Sequence, residues 1–100
     1  MKNTVKKTTR RTPVNYQGFL AIKRTESWWE IPYACAGRCY GVTVWQSSIS
    51  GDWLVSCGAV VEGAKDFEDG MRKALNWHGV QAYAFPESKE YLRCILYNYR

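Results

Sequence analysis

The chain has 100 residues, of which 46% are hydrophobic and 15% aromatic, and its net charge at neutral pH is +5. This length allows one domain, and this composition is typical of a folded protein rather than a disordered one. The basic first segment has no apolar stretch after it, and no apolar run reaches the ~18 residues of a membrane helix. We therefore expect a cytoplasmic protein with no membrane segment and with reduced cysteines.

The positive charge is concentrated at the start of the chain. Residues 1–12 carry a net charge of +5, whereas residues 13–100 contain nine Lys or Arg and nine Asp or Glu and are neutral. The sequence predicts a flexible basic arm over residues 1–13 and a single α+β domain over residues 14–100. Clustered cations on a mobile segment gain from counterion release, so the arm is a candidate nucleic-acid-binding element; the alternative is a solubilising terminus. Its cations are Lys2, Lys6, Lys7, Arg10 and Arg11.

The first half of the domain favours three strands. Residues 14–24 alternate apolar and polar side chains, which predicts a half-buried strand. Glu26 and Ser27 form a turn, and residues 28–34 form a second strand. Pro32 cannot donate a hydrogen bond to a sheet, which indicates an edge position for that strand. A tight turn at residues 36–38 leads into a third strand over residues 39–46.

The middle of the chain predicts a hairpin that leads into a helix. Short hydroxyl side chains and Gly51 make residues 47–51 a turn, and the pattern of residues 52–63 predicts one strand. Residues 64–78 then place Phe67, Met71, Leu75 and His78 on one helical stripe. Acidic residues come first and basic ones later, as the helix dipole favours. The glycine at position 79 predicts the C-terminal cap of this helix.

The last part of the chain predicts a short strand over residues 80–85 and a C-terminal helix from residue 86. Leu92, Ile95, Leu96 and Tyr99 would share the face of such a helix, although Tyr91, Ile95, Tyr97 and Tyr99 would align on a strand. The predicted fold class is therefore α+β. It consists of an antiparallel β-meander of about four strands packed by one amphipathic helix, followed by the short strand and the C-terminal helix.

Sequence motifs for chemistry are missing. The spacing of Cys35 and Cys39 does not match a zinc site, so buried thiols explain the cysteines better. His78 is the only histidine, and Asp66, Glu68 and Asp69 fit the start of a helix. No glycine pattern matches a phosphate-binding loop. We expect no enzymatic activity, no metal and no cofactor.

The aromatic residues point instead to binding. Trp28 and Trp29 are neighbours on a predicted strand, so one side chain enters the core and the other lies on the opposite face. Five Trp and seven Tyr are many for one small core, and these residue types dominate binding hot spots. The predicted protein-binding residues are Trp28, Trp29, Trp45, Tyr97 and Tyr99.

These features favour a small non-enzymatic binding protein that docks on a larger complex. In size and style the chain resembles the accessory proteins that bacteriophages encode to modify host DNA-processing or defence nucleases, such as anti-RecBCD and anti-CRISPR proteins. The resemblance is one of size and style, and no residue role is carried over from it. It implies a nuclease modulator acting in the host cytoplasm, with the basic arm near phosphates. The alternative is a nucleic-acid-binding module that uses the arm and exposed aromatic side chains.

Overall fold

A computed structural model describes residues 12–84, 89, 91–93 and 95 of the chain. Six strands form one antiparallel sheet in the order of the sequence, and two helices follow it. The strands are β1 (Thr12–Tyr16), β2 (Phe19–Thr25), β3 (Trp28–Cys35), β4 (Arg38–Gln46), β5 (Trp53–Cys57) and β6 (Val60–Ala64). The helices are α1 (Phe67–Leu75) and α2 (His78–Tyr83), and residues 89, 91–93 and 95 are also helical.

The α+β class is confirmed, but the meander has six strands rather than about four. The sequence between residues 14 and 24 is split by a turn at Gln17 and Gly18, which have φ of 53° and 90°. Residues 52–63 are split in the same way at Gly58, whose φ is 60°. Positive φ at the centre of two-residue turns matches the twist of hairpin strands. β1 begins at Thr12, inside the segment that the sequence assigned to the arm.

β3 is an internal strand, although Pro32 predicted an edge. The pairing of β3 with β2 ends at the Ile22–Glu30 pair, while its pairing with β4 continues through Pro32 and Gly41. The β3–β4 turn has two residues, and this register makes Pro32 and Gly41 a non-hydrogen-bonded pair. The nitrogen of Pro32 therefore faces the side where the β2 ladder has ended, and the ladder with β4 loses no donor.

α1 begins where its acidic residues predict, but it is shorter than residues 64–78. Asp66 is the N-cap, and its side chain accepts a hydrogen bond of 2.8 Å from the backbone N–H of Asp69. The helix packs closely on the sheet at Gly70, where a Cβ atom would lie 2.8 Å from Cγ1 of Val44. The absence of a side chain at Gly70 therefore allows the helix to approach β4.

The region after α1 differs from the prediction. Residues 78–83 form α2 instead of a cap followed by a strand, and Gly79 is buried inside this helix. Val80 and Ala84 are both buried, and the backbone N–H of Ala84 donates to the carbonyl of Val80. Residues 80–85 alternate small apolar and larger side chains over only six positions, and a segment this short fits a helix as well as a strand.

The core lies between the sheet and the two helices. Val42, Val44 and Val55 are fully buried on the sheet side, and Met71 and Val80 are fully buried on the helix side. In the C-terminal helical segment Tyr91 is 1% exposed, Ile95 packs against the core and Leu92 is 47% exposed. The helical prediction for this segment is confirmed at the described positions. Of the residues predicted to share one face of this helix, Leu92 is exposed and Ile95 is partly buried, while Leu96 and Tyr99 lie outside the described residues.

The two faces of the sheet differ. On the helix face, Trp29, Val44 and Val55 alternate with residues that point the other way. On the opposite face, which we call the far face, Ile22, Pro32 and Ala34 are buried. The far face is partly exposed at its other end, where β3, β4 and β5 contribute Trp28, Trp45 and Leu54.

Candidate functional site

Trp28 and Trp45 lie directly opposite each other on β3 and β4. The register makes them a non-hydrogen-bonded pair, the arrangement in which opposing side chains come closest. Leu54 of β5 pairs with Trp45 on the other side, so three large apolar side chains form one row across the far face. All three are partly exposed.

Trp28 and Trp45 line a cleft of about 470 Å³, which we call the tryptophan cleft. Its aromatic side chains are surrounded by hydroxyl and amide groups, which can donate and accept hydrogen bonds at the rim of an apolar contact. Such a mixture of apolar area and a few polar groups is typical of binding sites. The lining residues are Thr25, Ser27, Trp28, Thr43, Trp45, Gln46 and Ser56.

Arg24 fixes one side of the cleft. A register shift between Lys23 and Thr25 marks an irregularity in β2 at Arg24, and the guanidinium carbon of Arg24 lies 4.4 Å from the ring centroid of Trp28. Nη1 of Arg24 also forms an ion pair of 3.3 Å with Oε1 of Glu30. The side chains of Arg24 and Glu30 are only 16% and 17% exposed, so they order the Trp28 ring and add little net charge to the surface.

Trp29 lies on the helix face. Its ring centroid is 5.0 Å from that of Phe67, which also contacts Tyr16 at 6.1 Å and Trp53 at 5.5 Å. Nζ of Lys23 lies 5.7 Å from the Trp29 ring centroid. The predicted separation of the two neighbouring tryptophans is therefore confirmed: Trp29 joins the core and Trp28 lies on the far face.

The structure brings together two of the five predicted protein-binding residues, Trp28 and Trp45. Trp29 is outside the cleft, and Tyr97 and Tyr99 lie outside the described residues. The five predicted nucleic-acid-binding residues of the arm also lie outside them. The sequence prediction missed Arg24 and the rim residues Thr25, Thr43, Gln46 and Ser56. The register places Thr25 opposite Trp28, the ring contact places Arg24 on Trp28, and the other rim residues are recognised only from the shape of the cleft.

Two tyrosine–cysteine pairs lie at the other end of β3. The hydroxyl of Tyr33 is 3.4 Å from Sγ of Cys57, and burial followed by this hydrogen bond raises the pKa of Tyr33. A hydrogen bond with Cys35 raises the pKa of Tyr83. Both tyrosines are thus protonated at neutral pH. Cys35 and Cys57 are free thiols, whereas Cys39 is disulfide-bonded, which differs from the expectation of reduced cysteines.

The structure also places His78 and Asp69, two polar residues considered in the sequence. His78 is exposed at the start of α2 rather than on the buried stripe. Asp69 accepts hydrogen bonds from the backbone N–H of Lys65 at 3.0 Å and from Arg72, and these contacts lower the pKa of its carboxyl from 3.8 to about 2. Among the residues that the structure describes, no three His, Cys, Asp or Glu side chains are grouped as metal ligands, and no helix is long and apolar enough to cross a membrane.

Comparisons of this chain with protein-family models, with curated proteins and with solved structures found no match.

Proposed function

We propose that this is a non-enzymatic binding protein that docks on a larger protein through the tryptophan cleft. The observation that carries the proposal is the pair of partly exposed tryptophans, Trp28 and Trp45, held opposite each other on a rigid sheet. Tryptophan supplies large contact area with little conformational entropy to lose, and tryptophans in a concave surface are frequent binding hot spots. The hydroxyl and amide groups of the rim can then orient the partner by hydrogen bonds.

The charge of the folded part favours a protein partner over a polyanion. Residues 12–84 contain six Lys or Arg and seven Asp or Glu, a net charge of −1. Arg24, which lies against the Trp28 ring, is paired with Glu30. Nucleic-acid-binding surfaces are normally basic, because phosphate contacts supply most of their affinity. An uncharged aromatic surface with a hydroxyl rim suits a protein surface better.

The finer proposal is that the partner is a host complex that acts on DNA and that this protein inhibits or modulates it. Its support is the basic arm, which carries all of the excess charge, together with the resemblance in size and style to phage-encoded nuclease modulators. In this arrangement the cleft binds protein, and the arm contacts phosphates near the site of docking.

An affinity pull-down from bacterial lysate tests the proposal, with and without nuclease treatment and at high salt. The probe proteins are the full chain, the Trp28→Ala/Trp45→Ala variant and Leu92→Ala. Leu92 is 47% exposed and does not line the cleft, so its variant removes an exposed apolar side chain elsewhere. We expect a stoichiometric protein partner that survives nuclease and is lost only in the double tryptophan variant. Equal capture by all three proteins would contradict docking through the cleft.

The second candidate function is direct binding of single-stranded nucleic acid, with bases stacking on Trp28 and Trp45. The observation that favours it is the presence of two partly exposed aromatic side chains on one face of an antiparallel sheet. A fluorescence anisotropy titration with single- and double-stranded oligonucleotides separates the cases. Binding that is lost on deletion of residues 1–11 assigns it to the arm, and binding that is lost in the double tryptophan variant assigns it to the sheet.

A further inference from the structure

The two edges of the sheet offer different backbone groups. At the β1 edge, Tyr16 and Phe19 flank a two-residue turn and face each other in the ladder. Backbone groups alternate in direction along a strand, so those of Pro13 and Asn15 point away from β2. Pro13 has no N–H to donate. A proline at an edge strand is a common means of preventing that edge from pairing with another strand, and Pro13 does this at β1.

No proline interrupts the β6 edge, which the described residues include in full. Cys57 and Val60 flank the two-residue turn that starts β6, so the backbone of Val61 and Gly63 points away from β5. The carbonyl of Gly63 accepts a hydrogen bond of 2.7 Å from Nζ of Lys73, in agreement with this direction. The N–H and C=O of Val61 point in the same direction, away from β5. The side chains of Val60 and Val61 are 54% and 57% exposed, so the edge is also apolar.

We propose that β6 is a self-association surface, at which it pairs antiparallel with β6 of a second copy of this chain. Val61 lies opposite Val61 of the partner in this pairing. The two Val61 residues then exchange both backbone hydrogen bonds, and their side chains form a β-branched cross-strand pair. Each Glu62 lies opposite Val60 of the other copy.

The outward backbone groups and the side-chain charges of β6 favour pairing centred on Val61 over pairing centred on Glu62. Pairing centred on Glu62 would place two carboxylates directly opposite each other, which is destabilising. It would also require the carbonyl of Gly63, which Lys73 already occupies. Pairing centred on Val61 avoids both problems and leaves the Lys73 contact intact.

Antiparallel edge pairing has a two-fold axis perpendicular to the sheet. The dimer would therefore be one continuous sheet with both tryptophan clefts on the same face. A partner with two docking sites would bind such a dimer more tightly than a monomer, because the second contact is intramolecular. The pairing itself does not depend on what the cleft binds.

Sedimentation velocity of the full chain tests the proposal over protein concentrations from about 1 µM to about 1 mM, the range in which a short strand pair associates. The matched variants are Val61→Lys and Val60→Lys, which add the same charge at side chains of nearly equal exposure. The lysine of the first variant would face the same lysine of the other copy, whereas the lysine of the second would face Glu62. We expect Val61→Lys to raise the dimer dissociation constant at least about tenfold and Val60→Lys to leave it unchanged or lower it.

Val61→Pro provides a second test, because it removes the outward N–H without touching the β5–β6 ladder. We expect this variant to keep the circular dichroism of the parent and to remain monomeric. Hydrogen exchange should show protection of the Val61 amide that increases with protein concentration, with no such change at Gly63. A chain that is monomeric over the whole range overturns the proposal, and so does a dimer that Val61→Lys and Val61→Pro leave intact. Concentration-dependent protection at both amides overturns the register.

Discussion

Gly79 lies so close to the ring of Tyr33 that a Cβ atom at position 79 would overlap two carbons of that ring. No side chain fits there unless α2 or the Tyr33 ring shifts, and the ring is itself buried in the core. We expect a loss of about 2 kcal/mol in the free energy of unfolding, because overpacking outweighs the gain of about 1 kcal/mol in helix propensity. Urea denaturation of the Gly79→Ala variant and the parent protein measures this loss in the free energy of unfolding.

Gly63→Ala is the control for this substitution. A Cβ atom at Gly63 would meet nothing within 4 Å, so we expect a change within about 0.5 kcal/mol. If Gly79→Ala is as stable as the parent protein, α2 does not lie on Tyr33 as described.

The neighbouring tryptophans should respond differently to truncation. Trp29→Ala removes a ring that packs on Phe67, and we expect a loss of about 3 kcal/mol. Trp28→Ala removes a partly exposed ring and its contact with Arg24, and we expect a loss of about 1 kcal/mol. Paired urea denaturation curves measure the difference. Equal losses would contradict the assignment of the two rings to opposite faces.

Asp69 makes the stability of α1 dependent on pH. The pKa of its carboxyl is about 2 in the folded protein, compared with 3.8 as the ordinary value, so the charged form stabilises the fold. This contribution is fully present above about pH 4 and is lost as the pH falls towards 2. We expect Asp69→Asn to lower the Tm at pH 7 and the difference from the parent protein to shrink between pH 4 and pH 2.

Thermal melts at a series of pH values check this behaviour. Glu68→Gln is the matched control, since Glu68 is an exposed carboxylate in the same turn of α1. A Tm difference for Asp69→Asn that stays constant down to pH 2 would contradict the role assigned to its charge.

Ala36 is a position where glycine should stabilise the protein. Its φ is 52°, in the left-handed region that costs an L-residue with a Cβ atom about 1 kcal/mol. We expect Ala36→Gly to raise the free energy of unfolding by about 0.5 kcal/mol after the entropy cost of glycine is included. Ala59→Gly, at a hairpin residue without positive φ, should lower it instead. Urea denaturation of both variants shows whether the free energy of unfolding rises in the first and falls in the second.

The local parts of this fold were predictable from the sequence. The acidic start of α1, the turns at Glu26 and after Ala36, and the opposite directions of Trp28 and Trp29 depend on neighbours in the chain. The turns at Gln17 and Gly58 were missed, because each lies inside a segment whose side-chain pattern predicts one longer strand. α2 was missed because Gly79 is typical of a helix end, and only its contact with Tyr33 explains a glycine inside a helix.

The candidate site could not be predicted from the sequence, because it depends on which residues of neighbouring strands lie opposite each other. Trp45 and Trp28 were both predicted to bind a partner, but their pairing follows from the β3–β4 register. The role of Arg24 depends on the irregularity in β2, and no residue pattern marks that position. Side chains that meet across strands are distant in sequence, so the cleft becomes visible only when the register is known.

The strictly sequential order of the strands has a consequence for how the protein folds. Within the part of the chain that the structure describes, every strand pairs only with its neighbours in sequence, so each pairing closes a loop of a few residues. Closing short loops costs little entropy, and chains dominated by such pairings fold faster than sheets with distant pairings. The sheet can therefore form from successive hairpins, each between strands that are neighbours in the chain. α1 and α2 complete the core by covering the helix face of this sheet.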